Sequence, residues 1–251
     1  MRRVWQRNFD VYRATWKVNF IPPLLEPLLY LFAFGLGLGG FVKSVPYQGL
    51  DVTYLRFIAP GLIATAVMNH GFFETTYSSY VRMYFQKTYD AILATPLSLE
   101  DVVLGEVAWG MTKAFFAGSI MTGVAVLFGL VSWTTALALV PMLVVGGGVF
   151  AGLGMCFTGL VRNIEMFNFP VFLFVTPMFH FSGVFFPLGS LPAWAQKVAW
   201  CLPLTPLVSL IRNAALGVSG PEAIWSWVGL SLSCVATIIL SLVFMRRRLV
   251  R

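Results

Sequence analysis

The chain has 251 residues, of which 58% are hydrophobic and only 11% charged, with a mean hydropathy of +0.81. A soluble domain carries about 25% charged residues, so this composition excludes a water-soluble protein, and it excludes a disordered one, which needs low hydrophobicity and high net charge. An integral membrane protein remains, and its net charge of +7 then reads as topology, with basic residues on cytoplasmic loops, not as affinity for nucleic acid. Cys156, Cys201 and Cys234 are widely spaced, which suits apolar packing better than a disulfide framework or a metal site.

In chain order, the first expected element is a helix over residues 3–17. At about 100° per residue, Trp5, Phe9, Tyr12 and Trp16 share one stripe, opposite Arg3, Arg7, Asp10, Arg13 and Lys17. That pattern predicts a helix in the inner membrane interface, its aromatic residues at headgroup depth. Pro23 and Pro27 flank Glu26 and should break this helix from the first span. The apolar run that follows is too long for a signal-peptide core and is expected to stay in the protein.

A helix needs roughly 20 apolar residues to cross the hydrocarbon, and six stretches qualify, near 24–42, 57–75, 107–131, 135–161, 166–186 and 224–245. They are continuous, not alternating, which favours helices over barrel strands. The fold class is therefore all-α: one transmembrane domain over residues 1–251, with both termini on the same side. Arg2, Arg3, Arg7, Arg13, Lys17, Arg82, Lys87, Arg162, Arg246, Arg247, Arg248 and Arg251 fall on one face, against Lys43, Arg56, Lys197 and Arg212 on the other. The termini are expected to be cytoplasmic.

Two connections stand out. Residues 86–95 can form a short helix, stopped by Pro96, in which Tyr89, Ile92 and Leu93 make an apolar face and Lys87 and Asp90 stand three apart. The pattern fits either a helix that docks on a soluble partner or a plain connecting turn. Residues 187–221, punctuated by Pro187, Pro192, Pro203 and Pro206, contain two apolar pieces too short to span. They read as re-entrant helices or as a flat outer lid.

Ionisable groups at membrane depth are costly and are candidates for function. Glu26 marks the entry of the first span, Glu74 the inner end of the second, and Glu106 with Lys113 the start of the third; their spacing of seven permits a paired or bridged arrangement. His70 and His180 read as helix-packing donors, without the three or four converging ligands a zinc site requires. Gly35 with Gly39, and Gly148 with Gly152, suit close helix packing. No GxxxxGK[ST] phosphate loop occurs in the chain, so any ATP must bind elsewhere.

Taken together, the interfacial helix, the six spans, the short helix after the second span and the proline-punctuated segment resemble the membrane subunit of a type-2 ABC transporter. Ser182-Gly183, Phe186-Pro187, Leu191-Pro192, Trp194, Pro203-Leu204-Thr205 and Arg212 carry the outer motif. More narrowly, Leu29-Tyr30-Leu31-Phe32, Phe73-Glu74-Thr75, Arg82-Met83, Val103-Leu104-Gly105-Glu106, Ala108-Trp109 and Thr112-Lys113-Ala114 resemble the nodulation-type permeases that export lipooligosaccharides. The resemblance implies a bacterial inner-membrane permease, a second copy of itself, and an ATPase subunit of the nodulation protein I type that binds ATP and Mg. No cofactor or metal belongs to the chain itself. It further implies a coupling helix made of Gln86, Lys87, Thr88, Tyr89, Asp90, Ile92, Leu93 and Thr95. The implied cargo is an amphiphilic glycolipid. A lipid-modifying transferase, using Glu106, His70 or His180 as general base, is the alternative from another class; a passive channel lacks the rings of charge it would need.

Overall fold

The computed structural model describes residues 1–42, 44–218, 220 and 222–249. Lys43 and Arg251 of the charge census, and Pro221 at the end of the outer segment, lie outside the described residues.

Helix α1 (Arg2–Ala14) passes into α2 (Trp16–Phe32) through a break at Thr15. The Thr15 hydroxyl donates to the Val11 carbonyl at 2.9 Å, a side-chain bond that competes with the helical ladder. The break expected at the prolines is absent: Pro22, Pro23 and Pro27 all lie within α2. Each lacks an N–H, yet its fixed φ is helical, and membrane helices tolerate the lost bonds. Helix α2 therefore begins the first span at Trp16, earlier than expected, and runs on as a π turn (Ala33–Gly37) and a 3-10 turn (Leu38–Gly40).

An antiparallel hairpin of β1 (Ser44–Tyr47) and β2 (Leu50–Thr53) follows, with Val45 opposite Val52. Gln48 and Gly49 both take positive φ, 47° and 82°, as a type I′ turn demands. This hairpin is the departure from an otherwise helical chain. Helix α3 (Tyr54–Phe73) comes next, continued by π turns at Glu74–Ser78 and Val81–Phe85, then α4 (Thr88–Leu93).

Helix α5 (Leu99–Leu127) starts eight residues before the expected span. Its start is set by a capping box: Ser98 Oγ accepts from the Asp101 N–H at 3.2 Å while the Asp101 carboxylate accepts from the Ser98 N–H at 3.3 Å. Ser98→Ala should cost about 1 kcal/mol, read as a lower unfolding midpoint in detergent. Helix α6 (Trp133–Leu160) follows closely as expected. The fifth span is broken into α7 (Asn168–Pro170), a π turn (Val171–Val175) and α8 (Thr176–Phe181), ending before the expected Phe186. Helices α9 (Ala193–Trp200) and α10 (Leu204–Leu216) meet at 92°, and α11 (Glu222–Leu249) closes the chain.

Among the described residues, five segments are long and apolar enough to cross a membrane: Trp16–Gly35, Leu99–Leu127, Trp133–Leu160, Ile164–Phe181 and Glu222–Leu249. The bent α9–α10 pair would be a sixth, whereas the expected second span, α3, falls short in apolarity. The reason is its position. At 20 residues α3 is long enough to cross, but it packs between α5, α6 and α10, so Asn69 and His70 need not face lipid. By contrast only 17% of the apolar windows of α2 and α11 is buried within the chain, so these helices form the outer ring. Gly148 and Gly152 do pack closely, their absent Cβ atoms falling 2.7 Å from Cys234 Sγ and 2.6 Å from Thr237 Oγ1 of α11. Gly35 meets Leu55 of α3 instead.

Candidate functional site

At the end of the bundle that carries α1 and α4, four charges converge. Arg82 places Nη1 2.8 Å from Glu74 Oε1 and Nη2 2.6 Å from Glu106 Oε2, with Nε donating to the same Glu106 oxygen at 3.0 Å. Lys113 donates to Glu74 Oε2 at 2.9 Å, and Trp109 Nε1 to Glu74 Oε1 at 2.9 Å. Asn8 of α1 donates to Glu106 Oε1 at 2.9 Å, and Ser79 to Glu106 Oε2 at 3.1 Å. Glu106 is fully buried and Glu74 nearly so, at 0% and 5% exposure. Two carboxylates and two cations make the cluster neutral, and hydrogen bonds from Asn8, Ser79 and Trp109 add to it, the condition under which buried charge is tolerated.

Of the two arrangements open to Glu106 and Lys113, a direct pair or a bridge, the structure shows the bridge: Glu106 binds Arg82, Arg82 binds Glu74, and Glu74 binds Lys113. The π turns after Phe73 widen the helix, a geometry that recurs at functional sites, and bring Glu74 and Arg82, eight residues apart, into contact. Thr75 and Thr76 donate to the Gly71 and Phe72 carbonyls at 3.0 and 2.8 Å, and Thr158 of α6 donates to the Thr75 carbonyl at 2.6 Å. Arg82, Asn8, Ser79 and Trp109 had no signal in the periodicity as network members, because their partners lie far away in sequence.

The aromatic stripe of α1 serves this site. Trp5 stacks on Phe9 at 5.2 Å, both meet Trp109 edge-on, and Tyr12 does so at 5.6 Å. Trp5 Nε1 also donates to Thr112 at 3.0 Å. Trp5, Phe9 and Tyr12 of the stripe thus pack on α5, while Trp16 belongs to α2 and is exposed. At Gly105 a Cβ would fall 2.7 Å from Val4 Cβ, so only glycine lets α1 lie this close.

Helix α4 is shorter than expected, and of its apolar face only Tyr89 is fully buried. Tyr89 is completely buried, its hydroxyl 2.5 Å from Ser79 Oγ, and burial holds its phenol well above the usual range, hence neutral. This corrects its placement on a docking face. Gln86, Lys87, Asp90, Leu93 and Thr95 are exposed, while Thr88 and Ile92 are half-buried; Arg7 of α1 donates to Thr88 Oγ1 at 3.3 Å. Lys87 takes a positive φ of 51° at the start of α4, and Ala94 ends it before Pro96. The exposed face of α4 is thus backed by a buried tyrosine that reaches, through Ser79, a network spanning α1, α3 and α5. A cavity of about 380 Å³ opens beside it, lined by Arg7, Tyr12, Asn19, Gln86, Trp109 and Lys113 among others.

The remaining candidates lie apart from this network. His70 Nε2 is 3.6 Å from Glu26 Oε2, a pairing that spacing did not indicate. His180 Nδ1 bonds the Thr176 carbonyl at 2.8 Å. Glu106 is fully buried and engaged by Arg82, Asn8 and Ser79. No group of three or more potential metal ligands gathers among the described residues. At the opposite end, α10 is buried from Leu204 to Asn213, so the second outer piece enters the bundle and is not a flat lid. Gly183 has φ of 74°, Phe186, Pro187 and Pro203 are half-buried, and Pro192 and Trp194 are exposed. Arg212 is buried and donates to the Phe57 and Val184 carbonyls at 3.0 and 3.2 Å.

A helical bundle with membrane-length apolar segments, a buried neutral charge network under a short loop helix, and a bent helix pair at the other end is the architecture of a multi-pass membrane protein. The chain belongs to the ABC-2 type transporter family, whose model matches residues 1–216. It is 38% identical over 248 residues to Nodulation protein J of Rhizobium leguminosarum bv. trifolii, covering 99% of this chain and 93% of the relative. To Nodulation protein J of Sinorhizobium fredii it is 36% identical over 246 residues, covering 98% and 92%. To the inner membrane transport permease YadH of Escherichia coli it is 24% identical over 223 residues, covering 87% and 84%. This chain is thus the permease subunit of a transporter.

Proposed function

We propose that the chain is the permease half of an ATP-driven exporter in the bacterial inner membrane, moving an amphiphilic lipooligosaccharide outward. Two copies pair with two ABC ATPases of the nodulation protein I type, which bind ATP and Mg, and both termini face the cytoplasm. The carrying observation is the backing of α4: exposed Gln86, Lys87, Asp90, Leu93 and Thr95 on one side, and buried Tyr89 tied to the Arg82 network on the other. A push on that face passes through close-packed groups to α1, α3 and α5 without loss in a flexible loop. Thr88 and Ile92 flank the same face.

The basic residues gathered at this end support the orientation, and the names of the relatives support the cargo class. The cavity beside the network mixes cations with Tyr12 and Trp109, which suits the polar end of an amphiphile entering from the inner leaflet. Asp90→Lys reverses an exposed charge without touching the core. It is expected to cut export of a labelled lipooligosaccharide at least tenfold, the size of about 1.4 kcal/mol in coupling, with an unchanged unfolding midpoint. Undiminished export would remove α4 from the coupling path.

A further inference from the structure

The end of the bundle opposite α4 holds a cavity of about 350 Å³, inside the range of about 300–1,000 Å³ typical of small-molecule sites and far larger than one water. Tyr47 of the hairpin, Ser182, Gln196 and Trp200 of α9, and Ser209 and Arg212 of α10 line it, with Glu222 at its edge. Two observations mark it as built for a ligand. Ser182 lines the cavity, and its buried hydroxyl has no hydrogen-bond partner among the described residues; an unpaired buried hydroxyl is destabilising unless something fills its bonds.

Arg212 is the second. Its two backbone bonds use two of the five N–H groups a guanidinium carries, its Cζ lies 3.9 Å from the Phe57 ring centroid, and among the described residues no carboxylate pairs with it. Gln196 spends its amide on the Leu191 carbonyl at 2.8 Å, which leaves its own carbonyl as an acceptor. Donors from Arg212 and Ser182, acceptors from Gln196 and Glu222, and the rings of Tyr47 and Trp200 are together the equipment for a polyhydroxylated ring, with polar edges to be bonded and an apolar face to be stacked.

We infer that this cavity is a saccharide subsite that holds one sugar unit of the cargo as it leaves the bundle. The inference rests on the lipooligosaccharide reading above and deepens it by placing a sugar contact at the exit end. The loop that presents Ser182 turns at Gly183, where φ is 74° and a Cβ would fall 3.0 Å from Leu188 Cγ, so the hydroxyl is held by a turn that other residues would strain.

The test is binding of a chitin tetrasaccharide to the full chain in lipid nanodiscs, measured by calorimetry beside an unfolding scan. Ser182→Ala should weaken binding roughly fivefold to tenfold, the worth of one hydrogen bond, while leaving the unfolding midpoint unchanged or higher, since the hydroxyl it removes has no partner. Gln196→Ala should weaken binding similarly, and inorganic phosphate should not compete. Absence of sugar binding, or binding indifferent to both variants, would overturn the subsite, as would displacement by phosphate, which would mark Arg212 as an anion site. Export of the intact lipooligosaccharide, assayed in parallel, separates the failures: persisting export with no sugar binding fells the subsite alone, and loss of both fells the cargo reading with it.

Discussion

Arg82→Ala is expected to cost about 3–5 kcal/mol of stability, the usual loss on breaking a buried ion pair from one side. Arg82 holds two carboxylates at 2.8 and 2.6 Å, and without it Glu106 keeps hydrogen bonds from Asn8 and Ser79 but no cation. Glu74 fares better, because Lys113 and Trp109 remain. The damage should therefore concentrate on Glu106, and the double variant Arg82→Met with Glu106→Gln should recover more than half of the loss, since removing both charges leaves none stranded. Tryptophan-monitored unfolding in detergent reads both. Equal loss in the single and double variants would mean that the network contributes through packing, not through charge.

Gly154→Val should damage the packing of α6 beside the charge network. A Cβ at Gly154 would overlap the Thr75 hydroxyl and lie 2.7 Å from the Phe72 carbonyl, so the obstruction is partly backbone and cannot swing away. Overpacking typically costs about 1–3 kcal/mol, and here it also pries at the Thr158 bond to the Thr75 carbonyl that holds α6 against the π turn. Gly123→Ala in α5 is the control: nothing stands within 4 Å of that position, and replacing a helical glycine should raise stability by up to about 1 kcal/mol. A midpoint lowered for Gly154→Val and raised for Gly123→Ala is the expected pair of results in the same unfolding experiment.

Helix existence was legible from apolar run length alone, because lipid demands long apolar segments; α6 and α11 match their expected ranges within a few residues. The misplaced boundaries have local causes. The chain breaks at Thr15, where a side chain competes for a backbone carbonyl, and not at Pro23 or Pro27, which carry helical φ. Ser98 starts α5 early through a capping box written in the sequence as Ser98 and Asp101, a signal outweighed by hydropathy. The site was legible only in part. Spacing put Glu106 and Lys113 on one face, but their true partners, Arg82 and Glu74, come from the segment before α4, and Asn8 lies 98 residues from Glu106. Helical periodicity carries no information about contacts of that range. Tyr89 failed for a related reason: its apolar character marked a face correctly, but which way the face pointed depended on Ser79 and Glu106.

Incorporation of a photo-crosslinking residue at Asp90, followed by gentle detergent extraction from the native host and mass spectrometry, tests most directly whether α4 transmits ATP-driven motion. An ABC ATPase cross-linked through position 90, and recovered in equal amount with the permease, is the predicted result. A permease recovered alone, or cross-linked at position 90 only to lipid, would contradict it.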